Sequence, residues 1–394
     1  MQNLRIWKYL SLPWMVIALF FFISFIFLAF FKGTQIEYLT NDYLLGLFKN
    51  TFILSFLTAF ISALIAVPLA ILVTFYDFPG KKFFSWGLSL SIAFPAYVYA
   101  FIYVGIFEYS SPISTYLRDF DITFPSIKNL FGASIILSMA LFPYIYLLLR
   151  VKLASVGLDL FRAAKSLGNN NTASIFKVII PSLFPVIVAG MTLVVFETIA
   201  DFGGVSTLRI ETFTVGIYNA WFGYQSYFSA ARLAGYLLVF VFIIIFIAKF
   251  YEGKQNTLAQ KTSEVFEGIK LVPYKSFLAT LYCSTIFTIV FLIPLGQLLI
   301  WSYAENNFLS IENIHLVFNS LALGVIVSMI TVFFGIALAL AYRNDKKLRL
   351  IISVSTSGYA IPGSVISAGL LVSIGYFFGV SITSFGIVGL VLCL

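Results

Sequence analysis

Glu197 and Asp201 are a pair of ionisable groups whose spacing invites a chemical reading. They stand four residues apart near the end of an apolar run, so a helix carries both on one face, a turn apart. A carboxylate at membrane depth is costly and usually faces a bundle interior or a water-filled cavity. Two roles fit this pair. One is a place at the gate of a polar pathway. The other is local, with Asp201 capping the segment at the interface and Glu197 bonded to a neighbouring helix.

Bond-making chemistry has little else to draw on. There is no G-x-x-x-x-G-K-[ST] run to cradle ATP phosphates, and no Cys/His spacing for a metal. The single histidine, His315, excludes most histidine-based catalysis and falls in an expected loop. Cys283 and Cys393 sit in apolar segments as expected free core thiols. The reading is no enzyme, no cofactor and no firmly assigned metal site.

The elements that must position these residues are membrane spans. Sixty-one per cent hydrophobic residues, 10% charged and a mean hydropathy of +1.01 exceed what a soluble fold of 394 residues can hide. Apolar runs near residues 14–31, 51–76, 84–107, 131–149, 183–200, 233–250, 277–303, 317–342 and 350–375 each approach the length of a span, and another begins near Phe385. The fold class expected is all-α and polytopic, with about 10 transmembrane helices. The first run, Trp14 to Phe31, has no small-residue cleavage pattern after it and reads as a span.

Net charge is +8, but the cations are scattered through short loops, which argues for positive-inside bias rather than nucleic acid. With the N-terminus inside, 18 of the 24 Lys and Arg fall in cytoplasmic segments. That orientation puts the polar stretch 150–181 in the cytoplasm.

The chain also repeats itself. Asn50-Thr51 opens an apolar segment followed by a basic turn (Lys81, Lys82) and then Ala93-Phe94-Pro95-Ala96. Asn319-Ser320 opens a second, followed by Arg343 to Arg349 and Ala360-Ile361-Pro362-Gly363. Duplication of this kind lets a transporter enclose a pathway between halves. Pro68, Pro95, Pro143 and Pro362 each lie in an apolar segment, where proline kinks a helix. The domains expected are 1–250, a cytoplasmic linker 251–275, and a second copy at 276–394. That copy stops inside its fourth segment, and a full duplicate needs on the order of 100 further residues. The expectation is a truncated second copy.

The stretch Phe161 to Pro185, FRAAKSLGNNNTASIFKVIIPSLFP, separates two such segments. A short helix at Asp159 to Leu167 would protrude there, with Ala163 and Ala164 allowing close approach, Gly168 turning the chain back and Pro181 marking re-entry. An ordinary basic loop fits the same spacing.

RAAKSLG followed by FKVIIP resembles the loop through which permeases of ATP-binding-cassette (ABC) importers dock onto their ATPase. The usual opening there is Glu-Ala-Ala, and Arg162 stands where the glutamate is usual. The resemblance sharpens in Ala189-Gly190, Glu197-Thr198, Ala200 to Val205, Phe213-Thr214, Ile217-Tyr218 and Trp221-Phe222, which look like the ferric-iron importer permeases. It implies an inner-membrane permease whose partners are ABC ATPase subunits and a periplasmic substrate-binding protein. It also implies that Arg162, Ala163, Ala164, Gly168 and Pro181 form the docking loop. Ferric iron prefers oxygen ligands, so Glu197, Asp201, Tyr97, Tyr99 and Tyr103 become candidates for its route. Permeases for thiamine, sulfate, polyamines or phosphonates are alternatives within the class. An ion-coupled secondary transporter is the alternative outside it.

Overall fold

The computed structural model describes residues 2–27, 29–30, 39–154, 158–252, 268–304, 310–345, 348–349, 352 and 361–379. In chain order the helices are α1 (Gln2–Phe27), α2 (Asn41–Phe75), α3 (Lys81–Gly87), α4 (Ala96–Phe107) and α5 (Pro112–Arg118). They continue with α6 (Leu130–Lys152), α7 (Leu158–Ser166), α8 (Asn171–Ala200), α9 (Gly203–Thr207) and α10 (Phe213–Tyr218). The last are α11 (Tyr227–Glu252), α12 (Pro273–Ala304), α13 (Ile311–Asn344) and α14 (Gly363–Phe378). Strands β1 (Tyr76–Asp77) and β2 (Ile269–Lys270) pair in parallel, Tyr76 opposite Ile269 and Asp77 opposite Lys270.

Among the described residues six helices are long and apolar enough to cross a bilayer: α2, α6, α8, α11, α12 and α13. The number becomes seven if the pair Lys81–Ala93 and Ala96–Arg118 is one broken span, bent by 89°. Of the ten expected runs, those at 350–375 and near Phe385 lie partly or wholly outside the described residues. The 84–107 run is no straight helix because Pro95 has no N–H to continue one, and its ψ of 150° turns the chain out of the helix. Pro95 therefore starts α4 instead of kinking its middle, and Pro362 starts α14 in the same way with ψ 138°. Pro68 and Pro143 do lie inside helices. His315 lies on α13, which Ser310 caps through the Asn313 N–H, so the expected loop there is helical. The run near Phe385 and most of the 251–275 linker lie outside the described residues.

Two compact units share the chain. One gathers Met1–Leu45, Phe213–Val241 and Trp301–Leu394. In it α1 lies against α13 and α14, with Trp14 stacked on Phe334 at 5.5 Å and Phe20 edge-on to Phe377 at 6.0 Å. Met15, Leu338, Ala341 and Ile352 close a small core there.

The other unit gathers Gly46–Thr212 and Phe242–Ile300. Its centre is α6, which packs against α8 and α4. At the junction where α3 passes into a 3-10 stretch (Leu88–Ala93), bonding changes from four-residue to three-residue steps and leaves a carbonyl over. The Ser85 carbonyl takes the Tyr146 hydroxyl at 2.9 Å and the Arg150 guanidinium, both from α6. Tyr146→Phe keeps the buried ring and removes one of these donors. It should cost about 0.5–1.5 kcal/mol, read as a lower thermal midpoint of the purified protein in detergent. An unchanged midpoint would mean that Arg150 alone satisfies the carbonyl.

Candidate functional site

The short helix α7 is amphipathic at close range. Phe161 and Ala164, three residues apart, are buried, while Arg162, Ala163, Lys165, Ser166 and Leu167 are exposed. Phe161 sits on Phe75, the last residue of α2, with ring centroids 5.2 Å apart. Ala163 and Ala164 thus face opposite ways: one is presented outward, and the other is small so that α7 can lie down on its own unit.

The end of α7 follows from Gly168. Its φ of +83° places it in the left-handed region, which a side chain resists. The Gly168 N–H then reaches the Lys165 carbonyl at 3.0 Å, and the Asn169 N–H reaches Ala164 at 3.2 Å. These two bonds form a Schellman closure. Asn170 starts the next helix at once, its side-chain oxygen accepting from the Ala173 N–H at 2.7 Å. Helix α8 therefore begins ten residues before Pro181, which the sequence suggested as the re-entry point. Pro181 lies within α8, just after a π turn at Ile175–Ile179. A proline N–H is missing there, and the wider turn absorbs the mismatch.

At the other end of α8, Asp201 breaks the helix and closes the first turn of α9, its Oδ2 accepting from the Val205 N–H at 2.9 Å. The two glycines make this possible. A Cβ on Gly204 would stand 2.6 Å from Asp201 Oδ2, and one on Gly203 would stand 2.7 Å from the Tyr97 Cβ. Asp-Phe-Gly-Gly is thus a turn that needs both glycines, one for the carboxylate and one for contact with the start of α4. Glu197 lies one turn earlier on α8 and is hydrogen-bonded to the Tyr144 phenol of α6.

The three tyrosines are split. Tyr97 is 54% exposed, beside the Asp201 turn. Tyr99 and Tyr103 are buried and point at α12: the Tyr99 hydroxyl donates to the Val290 carbonyl and the Tyr103 hydroxyl to Ile289, each at 2.5 Å. Pro294 is the cause. It has no N–H for the carbonyl four residues back, Val290, and α12 widens into a π turn over Thr288–Leu292. The sequence signal for this was Pro294 inside the 277–303 run, which the spacing of the candidate residues does not single out.

Desolvation pushes the Asp201 carboxyl up to about 6, against the Val205 and Gly204 N–H groups, which draw it down, and with Glu197 adding to the rise. In the unfolded chain an aspartate titrates near 3.9. The opposition of this group to folding therefore grows above about pH 4 and is complete above about pH 6. Asp201→Asn keeps an acceptor for Val205 and removes the titration. Its stability should fall less than the wild type's between about pH 5 and about pH 7.5. Asp201→Ala, which removes the acceptor, should cost about 0.5–2 kcal/mol. Thermal unfolding in detergent across that range checks both, and parallel pH profiles for wild type and Asp201→Asn would refute the assignment.

Comparison with known proteins finds the same region. A family model described as "Binding-protein-dependent transport system inner membrane component" matches residues 66–264, which include α7, α8 and the Asp201 turn. An Fe(3+)-transport system permease protein of Haemophilus influenzae is 25% identical over 350 residues, 86% of this chain and 65% of the relative. A sulfate transport system permease protein of Escherichia coli is 25% identical over 169 residues, 43% of this chain and 60% of the relative. The chain thus spans less than two thirds of either protein. With half of its residues matched from the end of α2 onward, this chain belongs to the family of binding-protein-dependent transport system inner membrane components.

Proposed function

We propose that the chain is the transmembrane permease subunit of an ABC importer that moves ferric iron, delivered by a periplasmic binding protein, into the cytoplasm. The observation that carries this reading is α7. It is a short helix between α6 and α8, held by Phe161 on the end of α2 and closed by Gly168, with Arg162, Ala163, Lys165 and Leu167 turned outward. A separate ATPase closing on ATP would press on this helix. Because α7 is seated on α2 and leads within a few residues into α8, the push reaches two spans together and re-orients them in alternating access. ATP hydrolysis belongs to that partner, since the sequence has no phosphate-cradling loop.

The ferric reading is supported by the length of chain, 350 residues, that aligns with the iron permease. Glu197 and Asp201, with Tyr97 beside them, supply oxygen donors that suit a hard cation near one end of α8. Sulfate transport is the second reading, favoured by the equal identity of the sulfate permease. The proposed setting is a multi-pass protein of a bacterial inner membrane with the N-terminus inside. The proposed origin is a duplication in which 1–250 and 276–394 are the copies. Matching positions of Pro95 and Pro362, each immediately before a helix, support it.

The test is uptake in vesicles containing the chain, its ATPase and its binding protein. ATP-dependent entry of ferric iron is expected, and entry of sulfate without iron would replace the substrate. Gly168→Val should reduce uptake several-fold while leaving membrane insertion intact. A Cβ there meets nothing within 4 Å, so the harm comes from the backbone, where a left-handed φ costs about 1–2 kcal/mol. Full uptake by that variant would sink the docking role of α7.

A further inference from the structure

We propose that the cleft between α7, the start of α8 and the segment from β2 into α12 holds the phosphate headgroup of an anionic phospholipid. The cleft has a volume of about 800 Å³, and three cations line it: Lys165 of α7, Lys270 of β2 and Lys275 of α12. The remaining wall is mixed: Asn170, Asn171 and Thr172 at the start of α8 are polar, and Leu72, Val272 and Leu278 supply apolar surface.

Three observations point to this occupant. The first is charge. Among the described residues no carboxylate is bonded to any of the three lysines; Lys275 has only the Tyr274 ring, 5.8 Å away. Asp77, opposite Lys270 in the strand register, also interacts with Lys81. Three like charges around one cleft repel each other unless an anion sits among them. The second is place. The cleft lies where α2 ends and where α8 and α12 begin, which is one boundary of the apolar spans. Basic pockets between spans at such a boundary suit lipid headgroups. The third is the floor. Leu278 and Val272 line the cleft yet are 55% and 51% exposed. An acyl chain would cover them below the headgroup, whereas a free phosphate ion would not.

Such a lipid would touch α7 through Lys165, so it would brace the protruding helix against the segment that leads into α12. The inference rests on the chain's place in a membrane and not on the ATPase reading, because lipid binding is measured without any ATPase.

The experiment uses the purified full chain in neutral detergent, titrated with phosphatidylglycerol or phosphatidylcholine and read by native mass spectrometry. Phosphatidylglycerol should bind in preference. Lys165→Gln/Lys270→Gln/Lys275→Gln should weaken that binding roughly a hundredfold, since each cation near an anionic headgroup is worth roughly a fivefold effect. The corresponding triple Lys→Arg variant should keep it, which controls for folding. Equal binding of the two lipids overturns the proposal, and so does unchanged phosphatidylglycerol affinity in the triple Gln variant. Inorganic phosphate that competes as strongly as the lipid would show a free-ion site and overturn the lipid assignment.

Discussion

Every backbone carbonyl in an apolar span must find a donor, because the surroundings offer none. This constraint organises the unit around α6. Carbonyls lose their donors in two ways here, where a proline enters a helix and where one helix type passes into another, and the chain answers both. At Pro294 the helix widens into a π turn and tyrosine hydroxyls from α4 take the Val290 and Ile289 carbonyls. At the α3 junction, Tyr146 and Arg150 take the Ser85 carbonyl. Each repair is also a tie between helices that are distant in sequence, so the irregularities of the spans are what hold them together.

Those ties fix where the protruding helix can stand. Helix α6 is held to α3 near its C-terminal end, a few residues before the chain leaves for α7. Phe161 then docks on Phe75 at the end of α2, and the Gly168 closure delivers the chain to the Asn170 cap of α8. No long flexible stretch separates Leu167 from α8. A force on α7 therefore meets two span ends directly, which is the geometry that transmission of a push requires.

The sequence was informative where a residue's role is local. Gly168 as a turn and the helix before it are readable because a left-handed position depends on neighbours a few residues away. Apolar length located α6, α11, α12 and α13 within several residues, while α2 and α8 begin ten and twelve residues before the expected runs. Pairings across the chain were not readable. Tyr99 and Tyr103 looked like pathway phenols because nothing in their spacing reveals a carbonyl freed by Pro294, almost two hundred residues on. The start of α8 was misplaced for a related reason. Pro181 reads as a boundary by its chemistry, yet a π turn lets the helix run through it. At Pro95 a run of sufficient length is bent by 89°, so its place in the count depends on whether the pair is one broken span.

The outward face of α7 also constrains its proposed partner. Where related loops usually open with glutamate, this one has Arg162, and Lys165 follows on the exposed side. Asp159 in the first turn is the one carboxylate in the helix, placed where it suits the positive end of the helix dipole. The exposed surface is therefore cationic, and a complementary ATPase groove must offer carboxylates or backbone carbonyls rather than the basic groups that a glutamate would attract. Like-charge contact would oppose docking, so an ATPase shaped for the usual glutamate should pair poorly with this chain. On the proposed docking role Arg162 would bear on partner choice, whereas Phe161 and Ala164, buried on the same nine-residue helix, and Gly168 just beyond it fix the position of the helix.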